Sequence, residues 1–329
     1  MDFLDRLYGV ESNPFRLPER DCYGETTSEA LLRRMAFLRR AAYLTKNRAK
    51  ARDLTLAEGE GNVAAVKEWF CLLLGFGHDE SRSVGNVLHV NSLSLYKEDE
   101  AHRELHGEMD SMLIRERMLD ASHVEPVTET EAPSTEKERT VQYLLLHDKL
   151  DIFRMPGISG GLFRGGIRLE NYRLVEVRET EYILAFWNAE KKYWMNLEWG
   201  TDKAVLNEYA NILRRFLWKL NRDCETLYLI EHNLMLVPEA FTASVVFPDW
   251  TARFHSPEFR RSCMELIRSL MPAHIKVRFY RADTAAMQSF ELCYSLWRRM
   301  LAQGTVKNRQ DIEAAMRNLL KARMQEEQL

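Results

Sequence analysis

The first part of the chain contains a stretch in which apolar residues recur at helical spacing. In EALLRRMAFLRRAAYL, a capping residue at Thr27 or Ser28 precedes Leu31, Met35 and Leu38 on one side of the predicted helix. Arginines fill the other positions and give the helix a basic face. That face is either a solvated surface or a contact for RNA or an acidic partner.

A second amphipathic stretch, NVAAVKEWFCLLLGF, follows the turn-rich LAEGEGN. Its apolar positions predict a helix, which Asn62 caps at its start and Gly75 ends in a left-handed conformation. The residues on its apolar side are Val63, Val66, Phe70, Leu73 and Leu74. We therefore predict an N-terminal helical region over residues 1–76.

The pattern then changes twice before the middle of the chain. Residues 77–123 combine short β-branched runs, NVLHVNSLSLY, with a charged, Met-rich segment that is typical of a helix, and predict a small α/β segment. Residues 124–140 contain Pro, Thr and Glu and almost no large apolar residue. We interpret them as a linker or exposed loop.

Residues 141–222 predict an antiparallel sheet followed by a helix. The run NYRLVEVRETEYILAFWNAEKKYWMNLEW alternates like half-buried strands, with a hairpin turn at residues 188–191. A helical pattern begins near Asp202. The glycine cluster ISGGLFRGG before the strands predicts a loop or tight turn, because it matches no phosphate-binding motif and strands follow it.

Residues 223–304 predict a further α+β subdomain. LYLIEHNLML and FTASVVFPDW are typical of strands, the second of which ends at Pro248. Ser256 caps a helix with Pro257 in its first turn, PAHIKVRFYRA supplies another strand, and MQSFELCYSLWRRML another helix. Residues 305–329 form a C-terminal helix or tail. The predicted fold class is α+β, with N-terminal amphipathic helices, small mixed subdomains and antiparallel sheets.

Composition and charge restrict the functional class. The chain has 329 residues, 46% of them hydrophobic, and a net charge of -3, so no overall field draws it to nucleic acid or anionic lipid. Its five cysteines are scattered and form no CxxC motif, which favours a reducing compartment. The chain begins without the pattern of a signal peptide and lacks a long apolar run. We expect a cytoplasmic protein without membrane insertion.

Glu231 and His232 interrupt the apolar run LYLIEHNLML and are the first candidates for chemistry. Neighbours on a strand point to opposite faces, so the pair cannot share a metal or proton without further groups. His255 and His274 are available in principle, but no spacing enforces a site. We interpret the pair as structural residues tied by buried hydrogen bonds or an ion pair, and expect no catalytic residues, metal or cofactor.

Two alternative functions rest on other residues. His102 and His106 lie four apart in HRELH, which places two imidazoles on one helix face, although the acid Glu104 is not where a zincin motif requires it. A metal-dependent hydrolase would use these histidines or Glu231, His232 and His274. A nucleic-acid-binding module would use the basic N-terminal helix, or Trp187, Trp194 and Trp199 as a stacking platform.

The segment from Leu227 to Ala282 resembles part of a known protein family. Its order of motifs, LIEHNL, PDWTARF, PEFR and PAHI, is similar to that of the baseplate wedge protein of extracellular contractile injection systems, which include the antifeeding prophage and the Photorhabdus virulence cassettes. The structural motif that carries the resemblance consists of Glu231, His232, Pro248, Trp250, Arg253, Phe254, Phe259, Arg260, Pro272 and His274. Downstream, Met287, Phe290, Glu291, Tyr294 and Trp297 resemble the family's C-terminal helix.

This resemblance implies a structural protein rather than an enzyme. Such proteins are related to the wedge subunits of contractile phage tails and type VI secretion systems. The implied partners are a second, larger wedge protein and other baseplate, sheath and spike-hub subunits, without small-molecule substrate, nucleic acid or membrane insertion. Family members are often longer and tend to have Arg-Pro after the Glu-His strand, where this chain has Leu236, Val237 and Pro238.

The amphipathic helices near the N-terminus are the predicted contacts for partner helices. Apolar stripes on such helices suit bundling between chains. The candidate residues are Leu31, Met35, Leu38, Val63, Val66, Phe70 and Leu73. We expect the isolated protein to be oligomeric or poorly soluble, because these stripes would leave apolar surface exposed.

Overall fold

The chain has an α+β fold, as predicted. The computed structural model describes residues 35, 38–40, 42–44, 46–47, 50–53, 56, 62–74, 83–85, 87, 95–96, 124–130, 158–190 and 192–327. The predictions for Leu31, His102, His106 and residues 131–157 lie outside this part of the chain.

The described residues form seven helices and ten strands. The helices are α1 (Ala65–Leu74), α2 (Gly160–Gly165), α3 (Lys203–Cys224), α4 (Ala252–His255), α5 (Pro257–Leu270), α6 (Thr284–Gln303) and α7 (Arg309–Ala322), with 3₁₀ turns at Leu169–Asn171 and His232–Leu234. The strands are β1 (Leu95–Tyr96), β2 (Val124–Pro126), β3 (Ile158–Ser159), β4 (Tyr172–Arg178), β5 (Glu181–Asn188), β6 (Tyr193–Gly200), β7 (Tyr228–Glu231), β8 (Thr242–Pro248), β9 (Lys276–Ala282) and β10 (Gln325–Glu327).

These elements belong to two compact units. Described residues from 95 to 222 form the central unit, and those from 35 to 87 together with 223–327 form the C-terminal unit. The boundary at residue 222 coincides with a predicted one. The described residues of the predicted N-terminal helical region, from 35 to 74, belong to the same unit as residues 223–304.

The central unit is built on an antiparallel sheet with strand order β2-β4-β5-β6. The predicted hairpin connects β5 and β6, and Trp187 and Trp194 face each other across it with ring centroids 5.3 Å apart. Trp199 is partly exposed and lies opposite Ile183. Separately, β1 pairs in parallel with β3.

The glycine cluster forms helix α2, so the prediction of a loop or tight turn there is wrong. The Ser159 hydroxyl accepts a hydrogen bond from the Leu162 amide at 3.2 Å and caps the helix at its start. Gly166 follows its end in close contact with the unit's core. A Cβ atom there would lie 2.4 Å from Leu217 Cδ1 and 2.6 Å from the Leu162 carbonyl oxygen, so glycine is required for the close approach.

The predicted linker or exposed loop at residues 124–140 is wrong at its first three residues. Val124–Pro126 is strand β2, and the extended segment after it binds along α3 through side-chain amides. The Thr128 amide donates to Asn207 Oδ1 at 2.8 Å, and its carbonyl accepts from the amides of Asn207 and Asn211, both at 2.9 Å. Polar composition alone did not reveal this pairing, because the partners are asparagines on a distant helix.

A sheet of order β10-β9-β8-β7 forms the centre of the C-terminal unit. β8 and β9 run parallel and are connected by α4 and α5, whereas β7 and β10 pair antiparallel at the edges. Ser256 caps α5 from the predicted position, accepting from the Phe259 amide at 3.4 Å. The predicted tail at residues 305–329 supplies α7 and the edge strand β10.

Helix α1 contributes to the core of the C-terminal unit. Phe70, Cys71 and Leu74 are buried in one cluster with side chains from β8 and α5. The helix begins at Ala65, and Asn62 does not cap it. Asn62 instead exchanges two hydrogen bonds of 2.9 Å with the backbone of Asp53, so this side chain fixes the preceding segment.

The residues predicted to contact partner helices differ in how far they are exposed. Phe70 is fully buried in the chain's own core, so its assignment to a partner surface is wrong. Val66 packs against the same core from a half-buried position, and Val63 and Leu73 are also half-buried. Leu38 is half-buried, whereas Met35 is exposed and stays a candidate contact.

Candidate functional site

The structure separates Glu231 from His232 by more than strand alternation. Glu231 is the last residue of β7, and His232 begins a 3₁₀ turn, so the predicted strand over LYLIEHNLML is wrong beyond Glu231. The chain leaves the sheet at this point, and the two side chains contact different groups. They do not form one acid–base pair.

His232 is buried against strand β8. One ring nitrogen, Nε2, lies 2.7 Å from Ser244 Oγ, whereas Nδ1 has no hydrogen-bond partner among the described residues. Burial lowers the pKa of the imidazole below its ordinary value of 6.5, with Arg278 and Arg317 acting in the same direction and Glu239 opposing them. The ring is therefore held in its neutral form near pH 7.

The contact between His232 and Ser244 has the distance of a nucleophile and its base. Sequence reasoning missed Ser244, which lies in the apolar run of β8 without a local motif. His232 is only 2% exposed and Ser244 is fully buried, so a substrate has no access to the pair. The hydrogen bond ties the end of β7 to β8.

Glu231 lines a small cavity of about 30 Å³. Arg52, Trp297 and Arg298 are among the other residues around it. Burial raises the pKa of the carboxyl group, and the charge of Arg52 opposes this shift. The cavity has room for a water molecule or two but is too small for a ligand, since ligand pockets typically measure about 300 Å³ or more.

The aromatic residues of the motif form part of the core. Phe254 is fully buried, stacks on Phe247 with ring centroids 5.0 Å apart and meets Phe259 edge to face at 5.3 Å. Trp250 is buried, and Pro248 ends β8. The motif PDWTARF thus marks where β8 turns into α4 and fills the space beneath it.

Arg253 forms a buried ion pair with Glu225. Its Nε donates to Glu225 Oε2 at 2.9 Å, and its Nη2 contacts the same oxygen. Its Nη1 donates to the Leu74 carbonyl at 2.9 Å, which is one of the four terminal carbonyls that α1 cannot satisfy internally. Arg253 therefore connects three parts of the unit that are far apart in sequence.

Arg260 connects α5 to α4 and to strand β10. Its Nη1 donates to the carbonyls of Phe254 and His255 at 2.7 and 2.8 Å, and its Nε lies 3.1 Å from a Glu327 oxygen. Burial lowers the pKa of this guanidinium, and the Glu327 charge opposes that shift. Arg260 thus binds the terminal carbonyls of α4 and holds the edge strand β10.

Pro272 and His274 lie in the exposed turn before β9. The Ile275 amide donates to the Pro272 carbonyl at 2.9 Å and closes this turn. The imidazole of His274 meets the ring of Phe241 edge to face, with centroids 5.5 Å apart. The structure does not bring His274 together with Glu231 and His232 as a set of metal ligands.

Glu291 on α6 accepts hydrogen bonds from four groups among the described residues, and sequence reasoning named it for its resemblance to a family helix without assigning it a role. It accepts hydrogen bonds from the amides of Val84 and Gly85 at 2.6 and 2.9 Å, from the Tyr228 hydroxyl at 2.5 Å, and from the Ser83 hydroxyl. The available signal was an acid within the apolar stripe of α6, four residues after Met287.

A second buried carboxylate, Glu313 on α7, was not named by sequence reasoning. It accepts from Trp297 Nε1 at 3.0 Å, Arg309 Nε at 2.9 Å and the Leu236 amide at 2.8 Å. These bonds join α6, α7 and the chain after β7. Like Glu291, Glu313 has its carboxylate oxygens hydrogen-bonded to groups of the protein itself, as is typical of a structural residue.

The alternative functions, metal-dependent hydrolysis and nucleic-acid binding, receive no support from the described residues. Within those ranges, no group of three or more His, Cys, Asp or Glu side chains is placed to hold a metal ion. His102 and His106 lie outside them. None of the described helices is long and apolar enough to cross a bilayer. The basic helix is described only in part.

Comparisons with known proteins add no family assignment. The sequence matches no protein-family model, and no curated protein matches it significantly.

Proposed function

We propose that this protein is a structural component of the baseplate wedge of a phage-tail-like contractile injection system. It would pack with a second, larger wedge protein and help to form the plate that anchors the sheath and surrounds the spike hub. The proposal starts from the resemblance over Leu227–Ala282. One structural observation carries it: the resembling residues are engaged in holding a single unit together.

The buried motif residues act as structural connections. Arg253 and Arg260 bind carbonyls and carboxylates that belong to other elements, and His232 bonds Ser244. Phe254 and Phe259 fill the core between β8 and α5. Arranged this way, the motif favours a structural role over catalysis, because the polar atoms are directed to the protein itself.

Such an interior suits a part that transmits force. A plate that triggers sheath contraction must keep its shape until its subunits rearrange, and a close-packed interior resists deformation. Buried carboxylates with several donors fix the positions of neighbouring segments. Glu291 holds the 83–85 segment, and Glu313 holds the chain at Leu236.

The partners follow from the same proposal. The larger wedge protein is the expected direct partner, and the sheath and spike-hub subunits belong to the same particle. On this proposal the chain has no substrate and no enzymatic activity, and it acts inside the cell that assembles the particle.

The test is purification of the tagged full-length protein at mild salt from cells that encode it, followed by mass spectrometry and negative-stain microscopy. We expect sheath, tube, spike and a larger wedge protein to co-purify, with plate-ended particles on the grid. A tagged Arg253→Met variant, which leaves Glu225 buried without its cation and is expected to destabilise the C-terminal unit, should not be incorporated. Untagged cells carried through the same steps serve as the control.

Recovery of the protein alone would contradict the proposal. Two further measurements on that material separate the alternatives. Stoichiometric metal, lost together with hydrolytic activity when His102 and His106 are replaced, would support the hydrolase. Salt-sensitive retention on DNA or RNA would support the nucleic-acid-binding module.

A further inference from the structure

The loop between β7 and β8 exposes apolar side chains. We define the display loop as Met235–Phe241. Val237 is 59% exposed and Phe241 62% exposed, and Leu236 is also exposed. Single exposed apolar residues are common on protein surfaces, but neighbouring ones in one short loop indicate an interaction site.

Phe241 occupies a backbone conformation that a bulky residue rarely adopts. Its φ angle is +57°, in the left-handed region that glycine enters at little cost. The Lys276 amide donates to its carbonyl at 2.7 Å, and its ring and that of His274 lie edge to face with centroids 5.5 Å apart. Burial of the side chain does not compensate for this conformation in the isolated chain, since most of the ring is in water.

The backbone of the display loop is held in place by helix α7. Glu313 accepts a hydrogen bond from the Leu236 amide at 2.8 Å, and Arg317 donates to the Val237 carbonyl. Arg309 binds the Leu234 carbonyl directly before the loop. A loop fixed in this way loses little conformational entropy when a partner binds, which favours affinity.

The charges around the display loop indicate the character of the partner. Glu239 pairs with Arg278 at 3.1 Å, and Glu313 pairs with Arg309 at 2.9 Å. Among the described residues beside the loop, Arg317 and Lys276 remain as cations outside these pairs. The border of the apolar centre is therefore positive.

We propose that the display loop binds an amphipathic helix of a partner protein whose apolar stripe is flanked by acidic residues. A helix presents its apolar stripe and the adjacent charges on one surface, which matches an apolar centre with a basic border. An extended strand places alternate residues on opposite faces and fits less well. A second copy would bring the same cations together, so it is disfavoured. This inference is independent of the proposed function.

The probe is a labelled amphipathic peptide with leucines at i, i+3, i+4 and i+7 and glutamates beside them, compared with its lysine counterpart. Fluorescence anisotropy with the full-length protein measures both affinities. We expect the acidic peptide to bind and the lysine peptide not to bind. Phe241→Gly should weaken binding at least tenfold, and Val237→Ser should weaken it as well. Leu292→Gln, at an exposed leucine on α6, is the matched control and should leave binding unchanged.

Urea denaturation of Phe241→Gly provides the second readout. Because glycine accepts the left-handed conformation, its unfolding midpoint should be equal to or higher than that of the wild type. A lowered midpoint would show that Phe241 serves its own fold and would overturn the proposal. Failure of the acidic peptide to bind, equal binding of the lysine peptide, or self-association abolished by Phe241→Gly would also overturn it.

Discussion

The Tyr228 hydroxyl on β7 donates a hydrogen bond of 2.5 Å to the buried carboxylate of Glu291 on α6. The same carboxylate accepts hydrogen bonds from the amides of Val84 and Gly85. One side chain therefore joins edge strand β7, helix α6 and a segment from the first third of the chain. Burial, followed by the nearby Glu291 charge, raises the pKa of Tyr228 well above its usual value. The tyrosine is therefore a donor throughout the accessible pH range.

Replacing Glu291 by Gln should destabilise the C-terminal unit. The amide keeps the size of the side chain but presents an NH₂ donor where a carboxylate oxygen accepted, so a buried donor loses its partner. We expect a loss of about 1–3 kcal/mol in the free energy of unfolding, measured by urea denaturation.

Glu265→Gln is the matched control, since Glu265 is exposed on α5. Its effect should remain within about 0.5 kcal/mol. If both variants were equally stable, the contacts of Glu291 would contribute nothing to stability.

His232 should make stability depend on pH below neutrality. Its pKa in the folded chain lies below the value of 6.5 that it has when unfolded, so the unfolded state binds the proton first as pH falls. The stability that the neutral imidazole provides is complete above about pH 6.5. It decreases as the pH falls from there toward the lower pKa of His232 in the folded chain. Urea midpoints at pH 7.5 and 5.5 measure this loss.

The matched variant is His232→Gln, which cannot take up a proton. The decrease in midpoint between the two pH values should be smaller in this variant than in the wild type. Glu231 has the opposite sign: its raised pKa means that stability is lost as pH rises above about 4.5. An unchanged pH dependence in His232→Gln would show that the histidine is not the titrating group.

The two asparagines of α3 should protect different amides of the extended segment. The Thr128 amide binds Asn207, and the Thr130 amide lies 3.4 Å from Asn211 Oδ1. Asn207→Ala should therefore speed hydrogen exchange mainly at Thr128, and Asn211→Ala mainly at Thr130. Exchange measured by NMR distinguishes these sites.

Lys219→Ala is the control on the same helix, because Lys219 is exposed. It should change neither exchange rate. Equal acceleration of both amides in all three variants would mean that the segment opens as a whole and that the asparagines do not hold it individually.

The buried pair of Arg253 and Glu225 should show strong coupling. Arg253→Met leaves the Glu225 carboxylate buried without its cation, which typically costs about 3–5 kcal/mol. Combining Arg253→Met with Glu225→Leu removes both charges and should recover at least half of that loss. Urea denaturation of the two single variants and the double variant completes the cycle. Additive losses would contradict the coupling.

The elements that local patterns specify were predicted well. Ser256 and Pro257 placed the start of α5, the apolar stripe of Met287, Phe290 and Tyr294 placed α6, and alternation with a turn placed the β5–β6 hairpin. In each case the decisive interactions lie within a few residues along the chain, where periodicity and capping act. The fold class followed from these elements.

The sequence also showed that Glu231 and His232 interrupt an apolar run, but it did not show what they contact. The strand ends at Glu231 because the chain turns toward the display loop, which Arg309, Glu313 and Arg317 hold. These partners lie some 75 to 80 residues away along the chain. No local sequence pattern indicates these contacts.

The sequence by itself thus determined the helices, the hairpin and the α+β class, whereas tertiary structure decided which segments share a unit. Asn62 capped no helix, Thr128 and Thr130 were bound by asparagines of α3, and α1 entered the C-terminal core. The physical reason is distance along the chain. A buried polar group must find a partner once water is excluded, and for Glu291 that partner includes Ser83, 208 residues earlier.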